Sequence, residues 1–137
     1  MTSQEKRLVR AGFAEISEMA EPVALLFYGR LFELDPKLRP LFVQDIRVQS
    51  RKLMDMLAIA VNSLDKLEDL APALRALGQR HAGYGVLPEH YATLQNALLW
   101  AFGQAMPGGL SPESKGAWRA LIEAISAYMR DGAAELL

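Results

Sequence analysis

The chain has 137 residues, half of them hydrophobic, which suits one domain with ample material for a core. Fifteen basic against 16 acidic residues leave a net charge of −1, with no electrostatic footprint for nucleic acid or an anionic membrane. The lack of cysteine excludes disulfides, thiolate metal sites and cysteine nucleophiles, and suits a reducing cytoplasm.

Thr2 followed by Glu5 has the form of a capping box. Leu8, Val9, Phe13, Ile16 and Met19 then recur at helical spacing, which predicts a first helix over about residues 3–19. Behind the N-terminal basic residues there is no long apolar run, so no signal peptide is expected. Pro22 suits a first helical turn and opens a second helix, with Leu25, Tyr28 and Phe32 expected inward. Asp35-Pro36 interrupts it, because a residue before proline avoids helical dihedrals. A short helical turn over Pro36 to Phe42 follows. Asp45 can cap a third helix over about residues 46–64, whose apolar face runs Leu53, Met56, Leu57, Ala60 and Leu64, with Gln49 one turn before Leu53.

Asp65 to Asp69 reads as a connection. The next helix places Leu70, Leu74, Leu77 and His81 on one face, at steps of four, three and four residues. Gly83 and Gly85 end it, and Pro88 opens a long apolar helix to Met106. There Leu94, Ala97, Leu98, Ala101 and Phe102 face inward, and His90, beside Glu89, reads as an exposed helix start. Pro107-Gly108-Gly109 stops this helix. Ser111-Pro112-Glu113 combines a cap, a proline at the first position and an early acid. The last helix, about 112–135, carries Trp118, Leu121, Ile122, Ile125 and Met129 inward. No stretch alternates with period two, so the class is all-α: about six long helices plus a short turn helix. No apolar run approaches the ~20 residues of a membrane span.

Tyr28, Gln49, His81 and Tyr91 interrupt faces that should be plain core. Each has an ordinary explanation alone. A lone inward histidine is usually a satisfied core residue, an inward tyrosine usually sends its hydroxyl to the surface, and a glutamine in a first turn is usually solvated. Together they offer hydrogen-bonding groups from three helices to one interior, as a mostly apolar cofactor site requires. An inward imidazole without a partner costs free energy, so His81 is the candidate ligand.

These residues also sit at the spacings of a known family. Asp35-Pro36 with Leu41-Phe42, His81 through Val86, Pro88 to Tyr91, Tyr28 eight residues before Pro36, and Gln49 with Leu53 together resemble the globins. The segments LLFYGRLF and QSRKLM resemble single-domain bacterial globins related to flavohaemoglobins, and the likeness runs nearly end to end. The resemblance implies a globin fold around haem b (iron protoporphyrin IX), with His81 as proximal iron ligand through Nε2. Its other ring nitrogen should then donate to a carbonyl one turn back, such as that of Leu77. Phe42, Leu53, Leu57, Leu74, Leu77, Val86 and Leu98 would form apolar walls, and Lys52 would reach a propionate or else stay solvated. Tyr28 and Gln49 would donate hydrogen bonds to a bound diatomic gas.

In flavohaemoglobins a proximal tyrosine and a glutamate on the last helix polarise the iron-bound histidine. Tyr91 matches the tyrosine, whereas the glutamate's place falls near Ala133, between Asp131 and Glu135. The missing carboxylate argues for ligand binding over peroxidase-like chemistry. No reductase domain is expected after the globin region, so an external reductase is the expected electron source. Reversible binding of O2, and of NO and CO, is the first functional expectation. A nitric oxide dioxygenase is the second, a non-haem globin-like sensor or interaction module the third, and a helical bundle with a structural histidine the last. No nucleic acid, membrane or metal beyond the haem iron is expected, and the oligomeric state stays open.

Overall fold

Thr2 starts the first helix as its capping-box pattern predicts. Its hydroxyl accepts from the Glu5 N–H at 3.0 Å, and the Glu5 carboxylate accepts from the Thr2 N–H at 2.8 Å. The computed structural model describes residues 1–136. It contains α1 (Ser3–Ile16), α2 (Ala20–Leu34), α3 (Ile46–Asn62), α4 (Ala71–Gly83), α5 (His90–Ala105) and α6 (Pro112–Ala134). Tighter 3₁₀ turns occupy Ser17–Met19, Pro36–Leu41 and Leu64–Leu70. The described residues contain no strand, and none of their helices is long and apolar enough to cross a membrane.

The caps expected at Asp45 and Ser111 are formed. Asp45 accepts from the Arg47 N–H at 2.8 Å and Ser111 from the Ser114 N–H at 3.1 Å. Other boundaries differ from the sequence reading. The first helix stops at Ile16 and a 3₁₀ turn runs straight into α2, so Pro22 lies inside the first turn rather than opening it. There its missing N–H has no helical carbonyl to serve. The segment read as a connection is a 3₁₀ stretch broken at Lys66. Pro88 and Glu89 form a turn, and α5 begins only at His90. His90 is half-buried rather than exposed, because its Nδ1 accepts from the Leu87 N–H at 2.9 Å and closes that turn.

Leu25 was expected inward and is instead 50% exposed. The buried arc of α2 is Val23, Ala24, Phe27, Tyr28 and Leu31. At about 100° per residue, an arc centred there turns Leu25 away and leaves Phe32 at its edge. The remaining inward expectations hold well. Trp118, Leu121, Ile122, Ile125 and Met129 of α6 are all buried, and Trp118 packs on Phe102 of α5 with ring centres 4.8 Å apart.

Helix α2, which carries Tyr28, is braced on α3 and α5; α4, which carries His81, is braced on α6. The second contact is very close. A Cβ built at Gly78 would land on the backbone of Met129, and one at Gly132 on the backbone of Arg75. Two glycines therefore let the backbones of α4 and α6 touch, one turn before His81. Replacing Gly78 with alanine should cost about 3 kcal/mol of stability in urea denaturation, because neither backbone can yield. Gly116, with nothing within 4 Å of its built Cβ, is the control: alanine there should add about 0.5–1 kcal/mol.

Candidate functional site

His81 lies in the last turn of α4, half-buried beyond the Gly78 crossing. Its Nδ1 donates to the Leu77 carbonyl at 2.9 Å. A carbonyl can only accept, so Nδ1 carries the proton and Nε2 keeps its lone pair. Burial pushes the imidazole's pKa below its usual 6.5; the bond to Leu77 opposes this and the nearby Arg80 adds to it. The ring is therefore neutral near pH 7, the form that ligates metals. Nε2 has no hydrogen-bond partner among the described residues, yet it is not sealed off from solvent. Tyr84 tilts against the ring at 6.0 Å, and Gly85, at φ 100°, turns the chain away beneath it.

Tyr28 is buried among aromatic rings. Phe27 lies at 4.9 Å, Phe42 meets it edge-on at 5.5 Å, and Phe32 lies at 6.3 Å. Its hydroxyl has no protein partner among the described residues, and burial raises its pKa. It is thus a neutral O–H donor with no protein acceptor among the described residues, and like Nε2 of His81 it is not sealed off from solvent. Gln49, half-buried at the start of α3, is engaged elsewhere. Its amide donates to Oε1 of Gln44 at 3.0 Å, and the Lys52 ammonium donates to the same oxygen at 2.9 Å. Lys52 is exposed.

Leu57, Leu74 and Leu98 are buried in the main core, while Phe42, Leu53, Leu77 and Val86 are half-buried against it. Tyr91 is buried under the Arg130 guanidinium, whose centre stands 5.7 Å from the ring. Burial raises the Tyr91 pKa and Arg130 opposes that shift. Arg130 pairs with Glu123, which also accepts from the buried amide of Gln95. Those two bonds, the Gln95 contact foremost, hold the Glu123 carboxyl below its usual range. Helix α6 runs unbroken through Ala133, so the polar cluster next to Tyr91 is built from Glu123 and Arg130 instead.

The sequence reading missed Gln44, Gln95, Glu123 and Arg130. Two signals were present: Gln95 lies one turn after Tyr91, and Glu123 and Arg130 are seven apart on one face of α6. Gln44 lies in a loop and had none.

The globin family profile matches residues 25–129, and the chain belongs to that family. It is 28% identical to neuroglobin of Tetraodon nigroviridis, over 96% of this chain and 92% of that one. It is 26% identical to a flavohemoprotein of Halalkalibacterium halodurans, covering 92% of this chain but only 31% of that longer protein. Among solved structures, a bacterial globin from Campylobacter jejuni superposes with a TM-score of 0.86 at 20% identity, covering 98% of both chains. An engineered carbene transferase from Rhodothermus marinus, provisionally assigned as a nitric oxide dioxygenase, gives 0.89 at 24% identity, covering 99% of this chain and 95% of that one. At these identities the structural likeness establishes the fold.

The buried imidazole has a consequence for the protein without bound ligands. The unfolded chain takes up a proton near pH 6.5, whereas the folded chain does so only at lower pH. Stability present above that value is therefore lost as pH falls through it. The shifted carboxylates, Glu5, Asp65 and Glu123, titrate at lower pH still. Urea denaturation at pH of about 7.5 and 5.5 should show a drop in stability that His81→Leu largely removes.

Proposed function

We propose that this globin binds haem b through Nε2 of His81 and uses it to bind O2 and other diatomic gases reversibly. The observation that carries the reading is the His81 geometry: a neutral ring, oriented by Leu77, with a free and accessible lone pair. The donor set fits the group. Among the described residues no three His, Asp or Glu side chains gather as a metal site. A metal held by His81 must therefore bring its other ligands with it, as a porphyrin iron does. The apolar side chains of Phe42, Leu53, Leu57, Leu74, Leu77, Val86 and Leu98 suit the flat faces of a macrocycle. Lys52 at the rim suits a propionate.

Haem would supply an iron able to bind a diatomic gas. The protein's part there is donation. Tyr28 offers an O–H from a buried position, where a hydrogen bond to partially negative O2 counts most and one to the less polarised CO counts less. Gln49 is the second donor, available once its amide leaves Gln44. The cysteine-free chain suits such a role in a cytoplasm.

A nitric oxide dioxygenase that draws electrons from a separate reductase is the alternative. The likeness to the Rhodothermus marinus protein and to the flavohemoprotein favours it. Against it stands Ala133, where the resemblance to flavohaemoglobins calls for a glutamate on the last helix. A haem-free sensor or interaction module would have no use for an inward imidazole with an idle lone pair.

Absorption spectra of the oxidised, reduced and CO-bound protein test the haem reading, and His81→Ala should lose the Soret band. Stopped-flow displacement of O2 by CO should give about a tenfold faster O2 loss in Tyr28→Phe. Gln49→Ala should change it by less than about fivefold, because that amide already has a partner. Unchanged rates in both variants would refute distal donation. Mixing the oxy protein with NO then separates the two readings: rapid, repeated turnover with a reductant requires the dioxygenase.

A further inference from the structure

The surface outside the Tyr28 pocket carries charge that gas binding does not use. From Asp35 to Lys52 the chain has five cations, Lys37, Arg39, Arg47, Arg51 and Lys52, against two carboxylates, with ten basic and fourteen acidic residues elsewhere. Both carboxylates are helix caps, Asp35 for the Lys37 N–H and Asp45 for the Arg47 N–H. All five cations are exposed, and none pairs with a carboxylate among the described residues. A chain that is slightly acidic overall thus carries one distinctly basic, exposed segment, from Asp35 to Lys52.

The same segment exposes apolar surface. Val43 is 88% exposed, more than any other large hydrophobic residue described. Beside it opens a cleft of about 670 Å³, whose walls combine Phe32, Pro40, Phe42 and Ile46 with Arg39 and the capping carboxylate of Asp45. Arg39 lies over the Phe32 ring at 5.2 Å, and Phe32 meets Phe42 edge-on at 5.4 Å. These two phenylalanines also pack around Tyr28. Phe32 and Phe42 therefore belong both to the cleft and to the aromatic packing around Tyr28.

We propose that this surface docks an acidic one-electron carrier protein, of the flavin or iron–sulfur class, which keeps the haem reduced. The proposal rests on the haem-binding reading. The step is a single electron leaving the carrier's centre and converting ferric to ferrous iron, with no bond made or broken. Exposed apolar surface among charged residues suits a protein interface. A concave cleft is poorly filled by a flat layer of lipid headgroups. Redox encounters use small contact areas, where complementary charge sets the association rate and salt screens it. Exposed cations unpaired with any carboxylate among the described residues, next to the aromatic rings that pack on Tyr28, meet that requirement.

The test uses the purified ferric protein and reduced flavodoxin, an acidic flavin protein, in anaerobic stopped-flow followed in the Soret band. The second-order rate should fall about tenfold as salt rises from about 20 to 200 mM. The triple variant Arg39→Glu/Arg47→Glu/Arg51→Glu should be about tenfold slower at low salt, with its CO spectrum unchanged. Reduced cytochrome c, a basic donor, should not be slowed by the same changes. In an NMR titration with oxidised flavodoxin, shifts should cluster in residues 35–52 and be lost in Val43→Asp. A rate indifferent to salt and to the triple variant overturns the docking face while leaving haem binding intact. So does charge-dependent sedimentation with phosphatidylglycerol vesicles in place of flavodoxin binding. A protein with no Soret band overturns the reduction step and the haem reading together, and the titration then decides the surface alone.

Discussion

A single hydrogen bond, from Nδ1 of His81 to the carbonyl of Leu77, sets the chemistry of this chain. It fixes the proton on one ring nitrogen and leaves the other as a lone pair. Burial keeps the ring neutral, so that lone pair is present near pH 7. The bond would mean little on a loose helix. It acts as an orienting device because Gly78 and Gly132 bring α4 and α6 into backbone contact one turn away, and interiors packed that tightly transmit position faithfully.

The two ends of the site are built on different principles. On the Tyr28 side, aromatic packing buries the ring and leaves its hydroxyl without a protein partner among the described residues, free for the proposed ligand. Gln49 is instead tied to the rim through Gln44, in a shared contact with Lys52. Exposed bonds of this kind are worth little each, so the tie can be exchanged. On the Tyr91 side, the buried ring lies under a guanidinium that is itself paired with the Glu123 carboxylate.

Much of this was legible in the sequence because it depends on local rules. Caps at Thr2, Asp45 and Ser111 follow from short-range hydrogen bonds, and the stripe from Leu70 to His81 follows from helical periodicity. The hydrogen bond from His81 to Leu77 was expected for the same reason, since a residue four positions back offers its carbonyl to the same face. Leu25 was misread because α2 is apolar nearly all round, so periodicity does not say which arc meets the core. Gly78 and Gly132 were invisible as a pair, since their meaning lies in two backbones that touch only in the folded chain. The Arg130, Glu123 and Gln95 cluster likewise joins two helices, and Gln44 sits in a loop where spacing carries no direction.

The most direct measurement is low-frequency resonance Raman of the ferrous, ligand-free protein grown with ordinary and with ¹⁵N-labelled histidine. Iron bound to Nε2 of His81 predicts an iron–imidazole stretching band that shifts on labelling and survives replacement of His90. A spectrum with no histidine-sensitive band, or one whose band vanishes with His90 and persists without His81, would contradict it.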